Sequence, residues 1–199
     1  MKYRQQRKRE YPMNLPNKLT VARIAMVPLF AVAASMAQRS ASRTLYFLAG
    51  LIFAAASLTD MLDGKLARKM NLINNFGKFV DPLADKILTT AAFLYMQNEG
   101  VCSPAVMLLI LTREFAVAGL RMIAAAGGDS GVIAANIWGK VKTVLQMVSI
   151  LFFYFGSALL PWSAAVCSLS SVLCWTCALA TVLSGAIYFR ENRSVLAGK

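Results

Sequence analysis

Four aspartates stand at fixed spacing in a chain that is otherwise strongly apolar. Asp63 follows Asp60 by three residues, and Asp85 follows Asp81 by four. Charged groups cost free energy near hydrocarbon and are usually functional where they occur there. Since carboxylate oxygens are hard ligands and the chain contains no histidine, the set suits Mg²⁺ or Mn²⁺. Two such ions can hold both oxygens of a phosphoryl displacement, so these residues predict a phosphorylated lipid substrate.

The four acids belong to a longer string, D-x-x-D-G-x-x-A-R-x8-G-x3-D-x3-D, which Gly64, Ala67, Arg68 and Gly77 complete. In a helix, the first two acids, the glycine after them and the alanine fall on one face. The last two acids share a face on the next helix in the same way. Bringing the two faces together would crowd four negative charges, which requires cations between them.

Each piece of this string also has an ordinary structural interpretation. Asp81-Pro82 is typical of a helix N-cap followed by proline. Asp60 can pair with Lys65, and Gly64 with Ala67 can serve close helix packing. The chemical interpretation therefore depends on all eight fixed positions occurring together.

The elements that must position the string are predicted to be membrane helices. The chain has 199 residues, is 58% hydrophobic and has a mean hydropathy of +0.57, which is too apolar for an ordinary soluble domain. We expect an all-α integral membrane bundle of six transmembrane helices in one domain, residues 14–192, between a basic N-terminal extension at 1–13 and a tail at 193–199. The predicted spans are 19–37, 44–66, 82–98, 103–126, 134–158 and 162–190.

The net charge of +12 is distributed in a way that predicts topology rather than nucleic-acid binding. Of the 21 Lys and Arg residues, 18 fall on one side of the predicted spans, whereas Arg39 and Arg43 fall on the other. The positive-inside rule then puts both termini and the aspartate string on the cytosolic side. The same charge attracts anionic membrane lipids.

Two further patterns carry no chemistry in our interpretation. Cys174 and Cys177 form a C-x-x-C, but it lies in an apolar span with no second pair, so packing is the expected role. The glycine-rich segment 127–131 lacks the strand and the Lys-Ser/Thr ending of a phosphate loop, and a turn between helices is expected.

The complete string resembles the signature of the CDP-alcohol phosphotransferase family, six-helix membrane enzymes that displace CMP from a CDP-linked lipid with a second alcohol. The resemblance implies that Asp60, Asp63 and Asp81 coordinate two divalent cations, Mg²⁺ or Mn²⁺. It also implies that Asp85 contacts the second cation and is the general base on the incoming hydroxyl.

For the donor, the resemblance implies a CDP-diacylglycerol site that includes Asp60 and Gly77. Gly64 and Ala67 would leave space for the cytidine, and Arg68 would support the diphosphate. A guanidinium suits phosphate oxygens and small residues admit a flat base, so the physical interpretation agrees.

Three flanking segments resemble the bacterial branch that makes phosphatidylglycerophosphate from CDP-diacylglycerol and sn-glycerol 3-phosphate. They begin at Asn14, Thr112 and Ile137. Their polar residues are candidates for the donor site, Asn17 and Thr20, for the acceptor phosphate, Arg121 and Lys140, and for supporting contacts, Arg23, Arg113, Glu114 and Lys142.

These flanking residues also have structural alternatives. Asn17 and Thr20 can cap a helix N-terminus, and Arg113 with Glu114 can form a local ion pair inside the bundle. Lys140 and Lys142 are two residues apart and cannot share a helix face, so we expect only one of them to face substrate.

The sequence therefore predicts a multi-pass enzyme of the bacterial inner membrane, which the resemblance alone implies to be a homodimer. The alternatives are another acceptor, such as inositol phosphate, serine or phosphatidylglycerol, and a small cation transporter with the acids along its path. The transporter has no use for Gly64, Ala67 and Arg68. Interleaving of charge with apolar spans disfavours a nucleic-acid binder.

Overall fold

The computed structural model describes residues 15–70, 75–126, 137–160 and 164–193, with side chains for 22–59, 86–124, 137–160 and 164–193. These residues form six helices and no strand, which confirms the all-α prediction. In chain order the helices are α1 (Leu15–Ser40), α2 (Arg43–Met70), α3 (Asn75–Asn98), α4 (Pro104–Ala126), α5 (Ile137–Leu159) and α6 (Ala164–Glu191). The predicted extension 1–13 and the tail beyond residue 193 lie outside the described residues, as does segment 127–131.

The two helices that carry the aspartate string are longer than the spans predicted for them. α2 continues to Met70, and α3 begins at Asn75 rather than at residue 82. The N-cap interpretation of Asp81-Pro82 is therefore wrong, because both residues lie inside α3. The proline removes one backbone donor from the helix without ending it.

The connection between α3 and α4 shows why the chain turns where it does. Gly100 has a φ of +72°, which glycine adopts at low cost after a helix end. The backbone N–H groups of Val101 and Cys102 then donate to the carbonyl of Met96 at 3.0 and 3.2 Å. Ser103 accepts a hydrogen bond from the N–H of Ala105 at 3.3 Å and caps α4. The end of one helix and the start of the next are thus both satisfied.

Aromatic rings from α1, α2 and α5 form the centre of the core. The ring of Phe30 lies 5.3 Å from that of Tyr154 and 6.0 Å from that of Phe53. At Gly50 a Cβ would approach a ring carbon of Phe155 to 3.0 Å, so the glycine allows α2 to lie close against α5. Small residues likewise line the buried side of α1, where they let it pack closely on α2: Ala33, Ala34 and Ala37.

The helices do not pack evenly around this core. α1 packs most extensively on α2 and also contacts α3, while α5 packs on α2 and α6, and α4 on α6. α3 makes only limited contact with α4 and α5. A gap therefore remains where these three helices face one another.

The outer surface of the bundle is apolar on every helix. Large apolar side chains are exposed on all six, for example Leu29, Leu51, Leu94, Leu108, Val144 and Leu179. Soluble monomers rarely expose so much apolar surface. Within the described residues, α5 and α6 are long and apolar enough to cross a membrane. These observations indicate a membrane protein.

Candidate active site

The aspartate string occupies two helices that run continuously through it. Asp60 and Asp63 lie in the second half of α2, and Asp81 and Asp85 lie in the first half of α3. The helical spacing expected for each pair of acids is therefore present in the backbone. The side chains of the string are not among those described, and among the described ones no group of three or more acidic, histidine or cysteine side chains forms a metal site.

α1 brings a buried cation to the same two helices. It packs against both α2 and α3, and Arg23 in its first half has only 1% of its surface exposed. Burying a guanidinium is costly unless anionic groups compensate its charge. An arginine buried on this helix is therefore compatible with a carboxylate-rich neighbourhood. Asn17 and Thr20 lie inside α1, two and five residues after its first residue Leu15, so neither occupies the N-cap position.

A second charged group, which we call the Glu114 cluster, consists of Glu114 with Lys86, Arg113 and Lys142. The Lys142 ammonium donates to Oε1 of Glu114, and the Lys86 ammonium lies 3.1 Å from Oε2. The Arg113 guanidinium lies 3.4 Å from Oε1. The cluster joins α3, α4 and α5 and has one negative and three positive groups. Among the described side chains, one carboxylate thus stands against three cations in this cluster.

Arg113 is held between α5 and α6 as well. Its second terminal nitrogen donates to the hydroxyl of Ser184 at 2.8 Å. At Gly185 a Cβ would come within 3.0 Å of Cγ of Arg113, and at Gly139 within 3.8 Å of a terminal nitrogen. Gly185 thus leaves the space that the Arg113 side chain occupies, whereas a Cβ at Gly139 would make only an ordinary van der Waals contact. The Arg113 and Glu114 ion pair expected from the sequence is present, but it is one contact of a larger group.

The two basic residues predicted for the acceptor phosphate lie elsewhere. Arg121 donates from Nε to the hydroxyl of Tyr188 at 3.0 Å, and its guanidinium carbon lies 5.6 Å from the centre of that ring. Lys140 is exposed in the first turn of α5, whereas Lys142 is buried, so the two lysines face different sides as their spacing requires. The structure brings Lys142, and not Lys140, to Glu114.

A cavity of about 300 Å³ opens beside the Glu114 cluster, between α3, α4 and α5. Lys86, Glu114 and Lys142 line it together with mainly apolar side chains. Its dimensions are at the lower end of those of small-molecule sites.

Sequence reasoning missed three contributors to this region. Lys86 entered the sequence argument only as one of the basic residues that predict topology, although it directly follows Asp85. Gln146 is four residues after Lys142 on the same face of α5, and both are buried, so a polar stripe on an apolar helix was a usable signal. Tyr188 is 67 residues from Arg121, and nothing in the local pattern predicts their contact.

The four cysteines are free thiols. Cys174 and Cys177 are buried, and the sulfur of Cys174 lies 3.7 Å from the hydroxyl of Ser149. The packing role expected for the C-x-x-C pattern agrees with this placement.

Comparison with known proteins gives a family for the chain. The CDP-alcohol phosphatidyltransferase family matches residues 13–183. A CDP-diacylglycerol–glycerol-3-phosphate 3-phosphatidyltransferase of Bacillus subtilis is 38% identical over 191 residues, which cover 92% of this chain and 97% of that protein. A protein of the same name from Rickettsia felis is 36% identical over 180 residues, 89% of this chain and 94% of its own. A probable phosphatidylglycerophosphate synthase of Mycobacterium tuberculosis is 40% identical over 177 residues, 88% and 79% of the two chains.

Proposed function

The chain belongs to the CDP-alcohol phosphatidyltransferase family, and we propose that it transfers a phosphatidyl group from CDP-diacylglycerol to sn-glycerol 3-phosphate. The products are phosphatidylglycerophosphate and CMP. The observation that carries the proposal is the complete aspartate string on two helices that continue through it. The names of relatives that match nearly the whole chain support the choice of donor and acceptor.

In this proposal Asp60, Asp63, Asp81 and Asp85 hold two divalent cations, Mg²⁺ or Mn²⁺. Their donor set fits, because it offers only carboxylate oxygens and needs positive charge to bring four acids together. Such ions, when bound, neutralise the acids and polarise the diphosphate of the donor.

The remaining residues of the string bind and orient the donor. Arg68 pairs with phosphate oxygens, and Gly64 and Ala67 leave room for cytidine. Gly77 belongs to the same site, as do Asn17 and Thr20 near the start of α1. With the donor held, the acceptor hydroxyl attacks the phosphorus of the phosphatidyl group while the bond to CMP breaks. Asp85 accepts the proton of that hydroxyl as general base.

The acceptor carries its own phosphate, which needs fixed cations. We assign this role to Arg121 and Lys140, near the last turns of α4 and in the first turn of α5. The contact with Tyr188 supports this assignment, because it restricts the Arg121 guanidinium to one region. Arg23, Arg113, Glu114 and Lys142 are assigned supporting contacts around the site.

We further propose that all six helices span the bacterial inner membrane, with both termini and the site on the cytosolic side, and that the enzyme is a homodimer. The apolar outer surface of every helix supports the spanning arrangement. The distribution of Lys and Arg supports the orientation. Dimerisation rests on resemblance to the family alone.

The test is transfer of radiolabel from CDP-diacylglycerol by the purified enzyme in detergent, with a panel of acceptors. We expect efficient use of sn-glycerol 3-phosphate and release of CMP. Equal or better use of inositol phosphate, serine or unphosphorylated glycerol would overturn the assigned acceptor. Absence of CMP release with every acceptor would overturn the transfer reaction itself.

A further inference from the structure

The cavity between α3, α4 and α5 has a charged end and an apolar end. On α3 the lining runs from Lys86 to Phe93, and on α4 it runs from Glu114 to Met107. Both stretches cover eight residues, about 10 Å of helix from first to last, and the connection after α3 makes the two helices antiparallel. The two charged residues therefore lie at one level, and Phe93 and Met107 lie at the other.

Between these levels the wall of the cavity exposes mainly apolar atoms. Ile110 and Leu111 contribute from α4, and Ile87 contributes from α3. Thr89, Thr90 and Gln146 are polar exceptions, and the hydroxyl of Thr89 donates to the carbonyl of Lys86 at 3.2 Å. The lining thus predicts an occupant that is apolar over most of its length and anionic at one end.

The charged mouth of the cavity distinguishes a lipid chain from a helix of a second copy. The exposed side chains of the helices are mainly apolar, so a helix of a second copy would place apolar groups against Lys86 and Lys142. A lipid instead brings a phosphate to the two lysines, and a buried cation needs such a compensating anion.

The charged end also lies next to the aspartate string. Lys86, which lines the mouth, directly follows Asp85 on α3. If the donor's diphosphate is bound at the string, a chain leaving along α3 reaches the level of Phe93 after about 12 Å. The mouth of the cavity is therefore within reach of the donor's glycerol backbone.

We propose that this cavity binds one acyl chain of CDP-diacylglycerol, with Lys86 and Lys142 facing the lipid phosphates; the inference rests on the proposed function. A chain that moves from the bilayer into the cavity gains little from the hydrophobic effect, because lipid is already apolar. The cavity therefore fixes the position of the acyl chain and the orientation of the diphosphate, and it contributes little to the affinity for CDP-diacylglycerol.

The experiment uses CDP-diacylglycerol with a photoactivatable diazirine midway along one acyl chain, bound to the full-length enzyme in nanodiscs. Adducts are located by peptide mass spectrometry. We expect them on residues 89–93 and 107–111, and we expect excess unlabelled CDP-diacylglycerol to remove them. Ile110→Trp fills the cavity from α4 and should reduce these adducts at least about tenfold, since a packed site cannot take both groups.

Two further variants separate a filled cavity from a damaged protein. Thr90→Leu fills the same cavity more mildly from α3 and should also reduce the adducts. Leu108→Trp adds the same indole to α4 on a side chain that is 68% exposed, and should leave labelling unchanged. Transfer from a donor with chains too short to reach Phe93 shows that each variant is folded.

Four results would overturn the inference. Adducts elsewhere, with CMP release intact, would refute the cavity but leave the proposed function standing. Labelling by photoactivatable phosphatidylglycerol that CDP-diacylglycerol cannot displace would identify a resident lipid instead. Cross-links between residues 107–111 of two copies would show that a second copy covers the site. Failure of CMP release in the wild type would refute the proposed function and this inference with it.

Discussion

Two glutamates in the bundle have opposite surroundings. Glu99, just after the end of α3, accepts a hydrogen bond from the phenol of Tyr46, and Gln38 donates nearby to the carbonyl of Tyr95 at 2.7 Å. Glu114, ten residues into α4 and about 15 Å from the start of that helix, instead meets three cations. The first region holds α1, α2 and α3 together with neutral partners. The second region places three cations around one carboxylate, and helix packing does not require such a concentration of charge.

In our proposal this difference separates the end of the bundle that carries out transfer from the end that only stabilises the fold. The positive-inside rule explains basic residues in connections, but it does not explain cations buried around a carboxylate. Lys142 is only 5% exposed and lies on a mainly apolar helix. Ionisable groups at such positions are kept at a cost and are usually functional. We expect changes at this end to alter transfer and changes at the Glu99 end to alter stability alone.

Removing divalent cations should have the largest effect. Because four acids with no soft ligand require Mg²⁺ or Mn²⁺ in our proposal, excess chelator should abolish transfer, and either ion should restore it. The measurement is CMP release before and after chelation. Undiminished turnover in excess chelator would contradict the two-cation site. It would also contradict the proposed functional difference between the Glu114 end and the Glu99 end of the bundle.

Asp85→Asn tests the general base. Loss of a general base typically costs 10²–10⁴-fold, and a residue that also binds a cation should cost about 10³-fold or more in kcat. Binding of CDP-diacylglycerol should persist. Glu99→Gln makes the same change from carboxylate to amide at the other end and should leave kcat within about twofold. A near-normal kcat in Asp85→Asn would assign the base elsewhere.

Glu114→Gln tests whether the Glu114 cluster depends on its single anion. The change leaves Lys86, Arg113 and Lys142 without a compensating charge, and loss of one partner of a buried pair costs about 3–5 kcal/mol. The melting temperature in detergent should fall by roughly 5–10 °C or more. An unchanged melting temperature would mean that the three cations do not rely on Glu114.

How much of this end was predictable depends on the range of the contacts. The string and its helices follow from local spacing, because i, i+3 and i+4 relations are fixed by the helix itself. Lys86 and Lys142 meet at Glu114 through the rotation of three separate helices, which only packing decides. At Asp81-Pro82 the local pattern alone was misleading. It is typical of a helix start, but both residues lie inside α3, which begins at Asn75. Local spacing thus predicted the helical arrangement of the aspartate string, but it did not predict the Glu114 cluster.

Arg121→Ala and Lys140→Ala test the acceptor phosphate. A charge-assisted contact contributes about 1.5–3 kcal/mol, so each loss should raise the KM for sn-glycerol 3-phosphate by roughly 10- to 100-fold. The KM for CDP-diacylglycerol should stay nearly constant. Arg39→Ala removes an exposed arginine from the Glu99 end and is the matched control. Equal damage to both KM values would show a structural role instead.

The smallest effect is expected at Tyr46 and Glu99, and it concerns stability alone. Tyr46 is 5% exposed and its hydroxyl donates to Glu99, so Tyr46→Phe leaves the ring packed and removes only that bond. A double-mutant cycle with Glu99→Ala, which removes the acceptor, should give a coupling of about 1 kcal/mol. Tyr46→Phe alone should lower the melting temperature by roughly 2–4 °C. Both KM values and kcat should match the wild type, because this end contributes no group to the substrates. If Tyr46→Phe changed either KM as much as Arg121→Ala does, the two ends would be functionally coupled and the division proposed here would fail.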